Sequence, residues 1–314
     1  MLRPPPFIRL LSKPMPIAQL EYPLCMHFLI CIHHIFCYMR ERLITSTGGK
    51  GGTGKSTFAV LLAFKLSSNG EKVILCDCDV ECPNDYLLLN KEITDPEPIH
   101  RKMPELDEEK CLKCGICSNV CKENAIFWVE GNHPMLFLDL CSGCGACWIA
   151  CPHEAIRPRE EEAGEYFINR VNDNIWLSTG RSKPGISETG PIVGEVKRRA
   201  VKLGEEVKAD RIIFDTSPGT HCNVIQALIG CGRAYVVTEP TPLGAHDAGL
   251  ILELIHKMEI PAEIVLNKAD IGDREKIAEI AEKFGVPITI EIPYSDELVK
   301  AYSHGELEEM MHLI

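Results

Sequence analysis

Cys111, Cys114, Cys117 and Cys121 recur thirty positions later as Cys141, Cys144, Cys147 and Cys151. Two copies of C-x2-C-x2-C-x3-C are the spacing that wraps iron–sulfur cubanes: short loops bring three thiolates round one cluster, and the fourth opens a helix pointing towards the other. The predicted ligand sets are therefore crossed. Cys111, Cys114 and Cys117 go with Cys151, while Cys141, Cys144 and Cys147 go with Cys121. Gly115, Gly143 and Gly145 permit the tight turns and expose N–H groups to sulfur. The tails Cys121-Lys-Glu-Asn-Ala-Ile and Cys151-Pro-His-Glu-Ala-Ile reinforce an internal duplication, in which Lys122 stands where the second copy has Pro152. C-x2-C pairs also build zinc sites. Two complete quartets at this spacing favour two [4Fe–4S] clusters instead.

A second chemistry precedes the first. Gly49-Lys50-Gly51-Gly52-Thr53-Gly54-Lys55-Ser56 fits G-x-x-x-x-G-K-[ST], a phosphate-binding loop. Its glycines let backbone N–H groups approach phosphate oxygens, and the helix starting near Lys55 adds its positive end. Lys55 is suited to neutralise the β/γ-phosphates and Ser56 to bind Mg²⁺. Acids end the strands that follow, at Asp77-Cys78-Asp79 and at Asp215. Asp79 is the candidate catalytic acid beside the metal, and Glu81 has no assigned role.

With Lys50 beside its first glycine, the stretch Lys50 to Thr57 resembles the deviant Walker A loop of the MinD/ParA/Mrp/nitrogenase-iron-protein superfamily of ATPases. The resemblance continues through Asp77-Cys78-Asp79, Asp215-Thr216-Ser217-Pro218-Gly219 and Asn267-Lys268, and the cysteine repeat resembles a two-cluster ferredoxin domain inserted in it. Everything from Met39 onward is covered. The resemblance implies a homodimer in which Lys50 reaches the partner's nucleotide. It also implies that Asp79 positions the attacking water, Asp77 supports the magnesium shell and Asp215 holds Mg²⁺ through water. Asn267 and Pro293 match positions near the adenine. Asn267-Lys268-Ala269-Asp270 looks like a guanine-reading motif, but the deviant loop favours ATP. Cys222 lies in a segment that carries a cluster ligand in the nitrogenase iron protein; a buried or merely small residue is the expectation here, and for Cys78 and Cys82 likewise. A C-terminal C-x-x-C like that of Mrp-type carriers is absent. The implied function is a cytoplasmic ATPase coupling a nucleotide-driven dimer switch to electron transfer, or to iron–sulfur or metallocofactor assembly, on a redox or apo-metalloprotein partner. The alternative is a MinD/ParA-like positioning ATPase whose clusters are regulatory or structural.

These residues must be carried by a P-loop α/β fold, a mostly parallel sheet with helices on both faces, plus a small α+β insert. Strands are predicted near 42–46, 72–77, 211–215, 234–238, 263–267 and 287–291, with helices near 55–67, 196–207, 245–258 and 273–284. The expected domains are a host at 39–102 and 161–314 and a cysteine insert at 103–160, whose ends should lie close together. Residues 1–38, with Pro4-Pro5-Pro6 and the apolar run 22–38 broken by Pro23, His27, His33 and His34, read as a disordered extension or a start upstream of a true initiator at Met39. A net charge of −12 argues against nucleic acid. The acidic tail Glu306-Leu307-Glu308-Glu309 argues against a basic amphipathic membrane helix. Cysteines in metal-ligand spacing beside a nucleotide loop point to a reducing compartment.

Overall fold

The computed structural model describes residues 40–314; the reading of residues 1–38 lies outside them. Strand β1 (Leu43–Thr47) feeds the glycine loop and helix α1 (Lys55–Ser68). Strand β2 (Val73–Asp77) follows, then the single turn α2 (Asp85–Leu88). Alternation along β2 serves two layers, as the period of a strand requires. Val73 and Leu75 face α1, while Ile74 and Cys76 face α5 (Gly190–Val207) on the opposite side. A third cluster lies between β9 (Arg233–Thr238) and β10 (Ala262–Asn267) and the helices α6 (Cys222–Leu228), α7 (Pro242–Lys257) and α8 (Arg274–Phe284). Strands β8 (Arg211–Asp215) and β11 (Ile288–Ile292), helix α9 (Asp296–His304) and a terminal 3₁₀ turn (Leu307–Leu313) complete this host.

Three strands that the sequence did not announce join it: β3 (Glu97–Leu106), β6 (Ile156–Arg170) and β7 (Ile175–Ser182). The sheet order is β11-β10-β9-β1-β8-β2-β7-β6-β3. Pairing is parallel from β11 to β7 and antiparallel for β7–β6 and β6–β3. β7 ends at Ser182 and α5 begins at Gly190, with a short turn-rich connection over 183–189 between them. β3 and β6 are rich in Glu, Arg and Pro, a composition that does not announce strands. Cross-strand pairs support them, with Arg101 to Glu161 at 3.1 Å and Arg181 to Glu165 at 2.6 Å.

The cysteine segment springs from the far end of this extension. Leu106 pairs with Ile156, so its two ends are neighbours, and residues 103 and 160 lie inside the β3–β6 ladder. Between those ends lie α3 (Ile116–Val120), a two-stranded sheet of β4 (Ile126–Phe127) and β5 (Met135–Leu136), and α4 (Ala146–Ile149). Its own small core joins Cys117, Ile126, Cys147 and Ile156 with Leu106, Leu136 and Trp148 at the edge. No helix among the described residues is long and apolar enough to cross a membrane.

Candidate nucleotide and cysteine sites

The loop between β1 and α1 borders a cavity of about 290 Å³ that Gly51, Gly52, Gly54, Lys55, Ser56 and Thr57 line from one side and Asp79 from another. Gly54 has φ +93°, and a Cβ there would lie 2.4 Å from Nδ2 of Asn267, so only glycine fits the last turn before the helix. Asn267, at the end of β10, donates from Nδ2 to the Thr53 carbonyl at 2.9 Å. In this state it clamps the loop. Pro293 is exposed just beyond β11 and is not among the residues lining this cavity. Two cavity residues escaped sequence reasoning, Asn84 and Tyr302 of α9, because no motif links either to the loop.

Lys55 is buried, and its Nζ donates to the Lys50 carbonyl at 2.8 Å. Burial lowers its pKa, against the opposing pull of Asp215 and Asp79. Ser56 Oγ donates to Asp215 Oδ2 at 2.5 Å. Asp77 accepts from the backbone N–H groups of Asp79, Asn84 and Asp85 at 3.0, 2.8 and 3.1 Å. Burial first, and the Asp215 charge second, push Asp77 up to about 8. Burial likewise pushes Asp215 up to about 7, although the Ser56 hydrogen bond works against it. Paired acids held this way take a proton or a cation readily. Asp79 is raised too, chiefly by burial.

Lys50 has an intrachain partner that no motif marked. Its Nζ lies 2.5 Å from Glu239 Oε1, and Lys268 reaches Glu239 Oε2 at 3.3 Å. Burial would raise the Glu239 pKa, but the hydrogen bonds from Lys50 and Lys268 outweigh it and hold the group low.

A larger cavity, about 770 Å³, lies beside the first and shares Asp79 with it. Cys82 and Cys222 both line it, and both are exposed. Of the two expected alternatives, buried or merely small, burial does not hold for this pair: Cys82 lies on the loop after β2 and Cys222 at the first turn of α6, both facing the open cleft. Cys78 is buried as expected, its sulfur 3.7 Å from that of Cys76. On the cavity wall Thr189 Oγ1 donates to Glu81 Oε1 at 2.9 Å. Two residues earlier, Ser187 Oγ donates to the Asp139 carbonyl at 3.1 Å, on the turn just ahead of Cys141.

None of the eight motif cysteines forms a disulfide, and they fall into two groups. Cys111, Cys114, Cys117 and Cys151 line one small cavity, and Cys121, Cys141, Cys144 and Cys147 line another. Most of the other lining residues are apolar, with His153 at the first cavity and Glu123 and Ser142 at the second, and the four sulfurs of each suit a cluster held by thiolates. Backbone N–H groups already point at sulfur, from Ala125 to Cys121 and from Ala155 to Cys151 at 3.3 Å, and from Gly143 to Cys141 at 3.4 Å. Gly115, at φ +72°, lets the Trp128 ring cover the first loop; a Cβ there would lie 2.5 Å from that ring. The donor set and its N–H groups fit cubane clusters.

A family model described as the CobQ/CobB/MinD/ParA nucleotide binding domain matches residues 44–308. An uncharacterized protein of Methanocaldococcus jannaschii is 37% identical over 270 residues, covering 85% of this chain and 92% of that protein. An iron–sulfur cluster carrier protein of Pyrococcus furiosus is 26% identical over 270 residues, covering 80% of this chain and 73% of the relative. Among solved structures, the septum site-determining protein MinD of Pyrococcus horikoshii with Mg-ADP superposes with a TM-score of 0.53 at 18% identity, over 86% of this chain and 88% of that one. The last likeness is one of fold.

Proposed function

Since the chain belongs to the CobQ/CobB/MinD/ParA nucleotide-binding family, we propose that it is a dimeric ATPase whose nucleotide state is coupled to two [4Fe–4S] clusters serving a redox or apo-metalloprotein partner. The loop N–H groups and Lys55 bind the phosphates of ATP. Ser56, with Asp215 and Asp77 behind it, would hold Mg²⁺, which withdraws charge from the phosphate oxygens. Asp79 borders the same cavity and is placed to orient water. The two cysteine quartets would hold the clusters, which supply one-electron chemistry. Leu112, Phe127, Leu140 and Ile149, all exposed on the cysteine segment, offer the partner an apolar surface. The M. jannaschii relative carries no functional description, and the cluster carrier and a septum site-determining MinD match to a similar extent; the two cysteine quartets are what favour cluster chemistry over positioning.

The observation that carries the coupling is the chain of contacts from Asp79 to Cys141. Glu81, two residues beyond Asp79, takes the Thr189 hydroxyl, and Ser187 on the same loop ties down Asp139 ahead of Cys141. A shift of the Asp79 loop on nucleotide binding therefore pulls on the segment that carries the second quartet. The test uses anaerobically purified protein, with ATP hydrolysis and the midpoint potential of each cluster measured with and without a non-hydrolysable ATP analogue. Wild type should hydrolyse ATP and show a nucleotide-dependent potential. Lys50→Ala and Asp79→Ala should lose hydrolysis, and Ser187→Ala with Thr189→Val should lose the potential shift while still binding nucleotide. Protein without iron and labile sulfide, or with potentials indifferent to nucleotide, would sink the proposal.

A further inference from the structure

Below the nucleotide cavity three carboxylates converge with too little to balance them. Asp77 ends β2 and pairs in register with Asp215 at the end of β8, while Asp85 opens α2 eight residues after Asp77. One oxygen of each lies within 4.8 Å of the others. Their exposures are 1%, 1% and 0% for Asp77, Asp215 and Asp85. Backbone N–H groups satisfy Asp77 and the Ser56 hydroxyl takes one oxygen of Asp215. The other Asp215 oxygen and both oxygens of Asp85 have no hydrogen-bond partner. A buried carboxylate without donors is among the costliest groups a fold can contain. Asp85 does not serve as the cap of its helix, since Asn84 holds that position. Its side chain faces the other two acids with its oxygens unspent.

The charges identify what is missing. Deprotonated, as metal ligands must be, the three carboxylates would carry three negative charges, of which the neighbouring buried cation, Lys55, returns one. The remainder of two is the charge of one divalent ion. The donors are all carboxylate oxygen, with a serine hydroxyl adjacent, a set that suits Mg²⁺ or Mn²⁺ and disfavours soft metals.

We infer that Asp85, together with Asp77 and Asp215, forms a hard-oxygen divalent-cation site that fills before nucleotide binds. The ion ties the end of β2 to the end of β8 and so fixes the Asp79 loop ahead of ATP. Ser56 and the phosphates can join its shell afterwards. Asp85 is the residue that separates this site from one assembled only with nucleotide, because its oxygens have no other task.

The experiment contains no nucleotide, so its outcome is independent of the ATPase proposal. Full-length protein, purified anaerobically and stripped with EDTA, is titrated with Mn²⁺ while free Mn²⁺ is read by electron paramagnetic resonance. Wild type should take up a single tight equivalent that Mg²⁺ displaces. Asp85→Asn should bind it at least about tenfold more weakly, the loss expected when a group that tunes a metal site is removed. Thermal unfolding guards against a folding defect. In EDTA Asp85→Asn should melt no lower than wild type, since it loses an unbalanced charge, and Mg²⁺ should raise the wild-type midpoint while leaving the variant's in place. Absence of Mn²⁺ uptake by nucleotide-free wild type, or equal affinity in Asp85→Asn, overturns the site.

Discussion

Replacing Glu239 by Gln should make the protein less stable as a monomer and more ready to dimerise. Lys50 Nζ is held 2.5 Å from Glu239 within its own chain, and Lys268 adds a second contact at 3.3 Å. The Glu239 side chain is 11% exposed and the Lys50 side chain 27%, so the pair sits between a surface bridge and a buried one. Surface pairs contribute about 0.2–1 kcal/mol and shielded charge-assisted hydrogen bonds about 1.5–3 kcal/mol, which brackets the Lys50 contact at about 1–2 kcal/mol. Glu239→Gln keeps the shape and one acceptor but removes the charge. The melting midpoint should fall by about 2–4 °C for each kcal/mol lost. For Lys50 to reach across a dimer it must first leave Glu239, once in each protomer. Two released contacts are worth about 2–4 kcal/mol, or about 30- to 1,000-fold in the dimer constant. Sedimentation velocity with a non-hydrolysable ATP analogue measures that constant directly. The difference between wild type and variant should shrink in 1 M salt, where the screening length falls to about 3 Å. If Glu239→Gln dimerises no more tightly than wild type, Lys50 is not restrained by this contact.

Two further expectations rest on separate parts of the molecule. Cys121→Ala and Cys147→Ala line the same cavity, so each should remove the same half of the iron and their combination should remove no more; Cys121→Ala with Cys151→Ala should remove both halves, as iron and sulfide quantitation will tell. Glu195 is held down to about 2 chiefly by the Arg198 hydrogen bond, with Arg199 adding to it. Because this folded pKa lies below the unfolded value of about 4.3, its stabilisation is complete above the unfolded value and is lost as the pH falls towards 2. With partial screening it amounts to about 1 kcal/mol, so Glu195→Gln should melt lower than wild type at pH 7, and the gap should close steadily below pH 4.

Local chemistry in the sequence determined the phosphate loop, the crossed cysteine quartets, and the six parallel strands and four longer helices predicted for the host. Each of these is a short-range pattern: a strand running into Gly49–Ser56, a thiol every third or fourth residue, an acid at a strand end. The buried strand β8, predicted at 211–215, is found at Arg211–Asp215 because continuous apolar runs announce buried parallel strands. What only the tertiary structure decided depends on residues far apart in the chain. β3 and β6 are strands because they pair with each other and, through β6, with β7, although their own Glu, Arg and Pro content does not ask for it. Glu239 finds Lys50 across 189 positions, and Ser187 finds Asp139 across 48. Cys82 and Cys222 share a cleft because the loop after β2 and the first turn of α6 face one another. Asp85, an acid in an unremarked loop, becomes a candidate ligand only when α2 turns it under Asp77 and Asp215. A motif records what one segment must do alone; burial and charge balance belong to the assembled sheet, where the environment of each group is set by segments it cannot see in sequence.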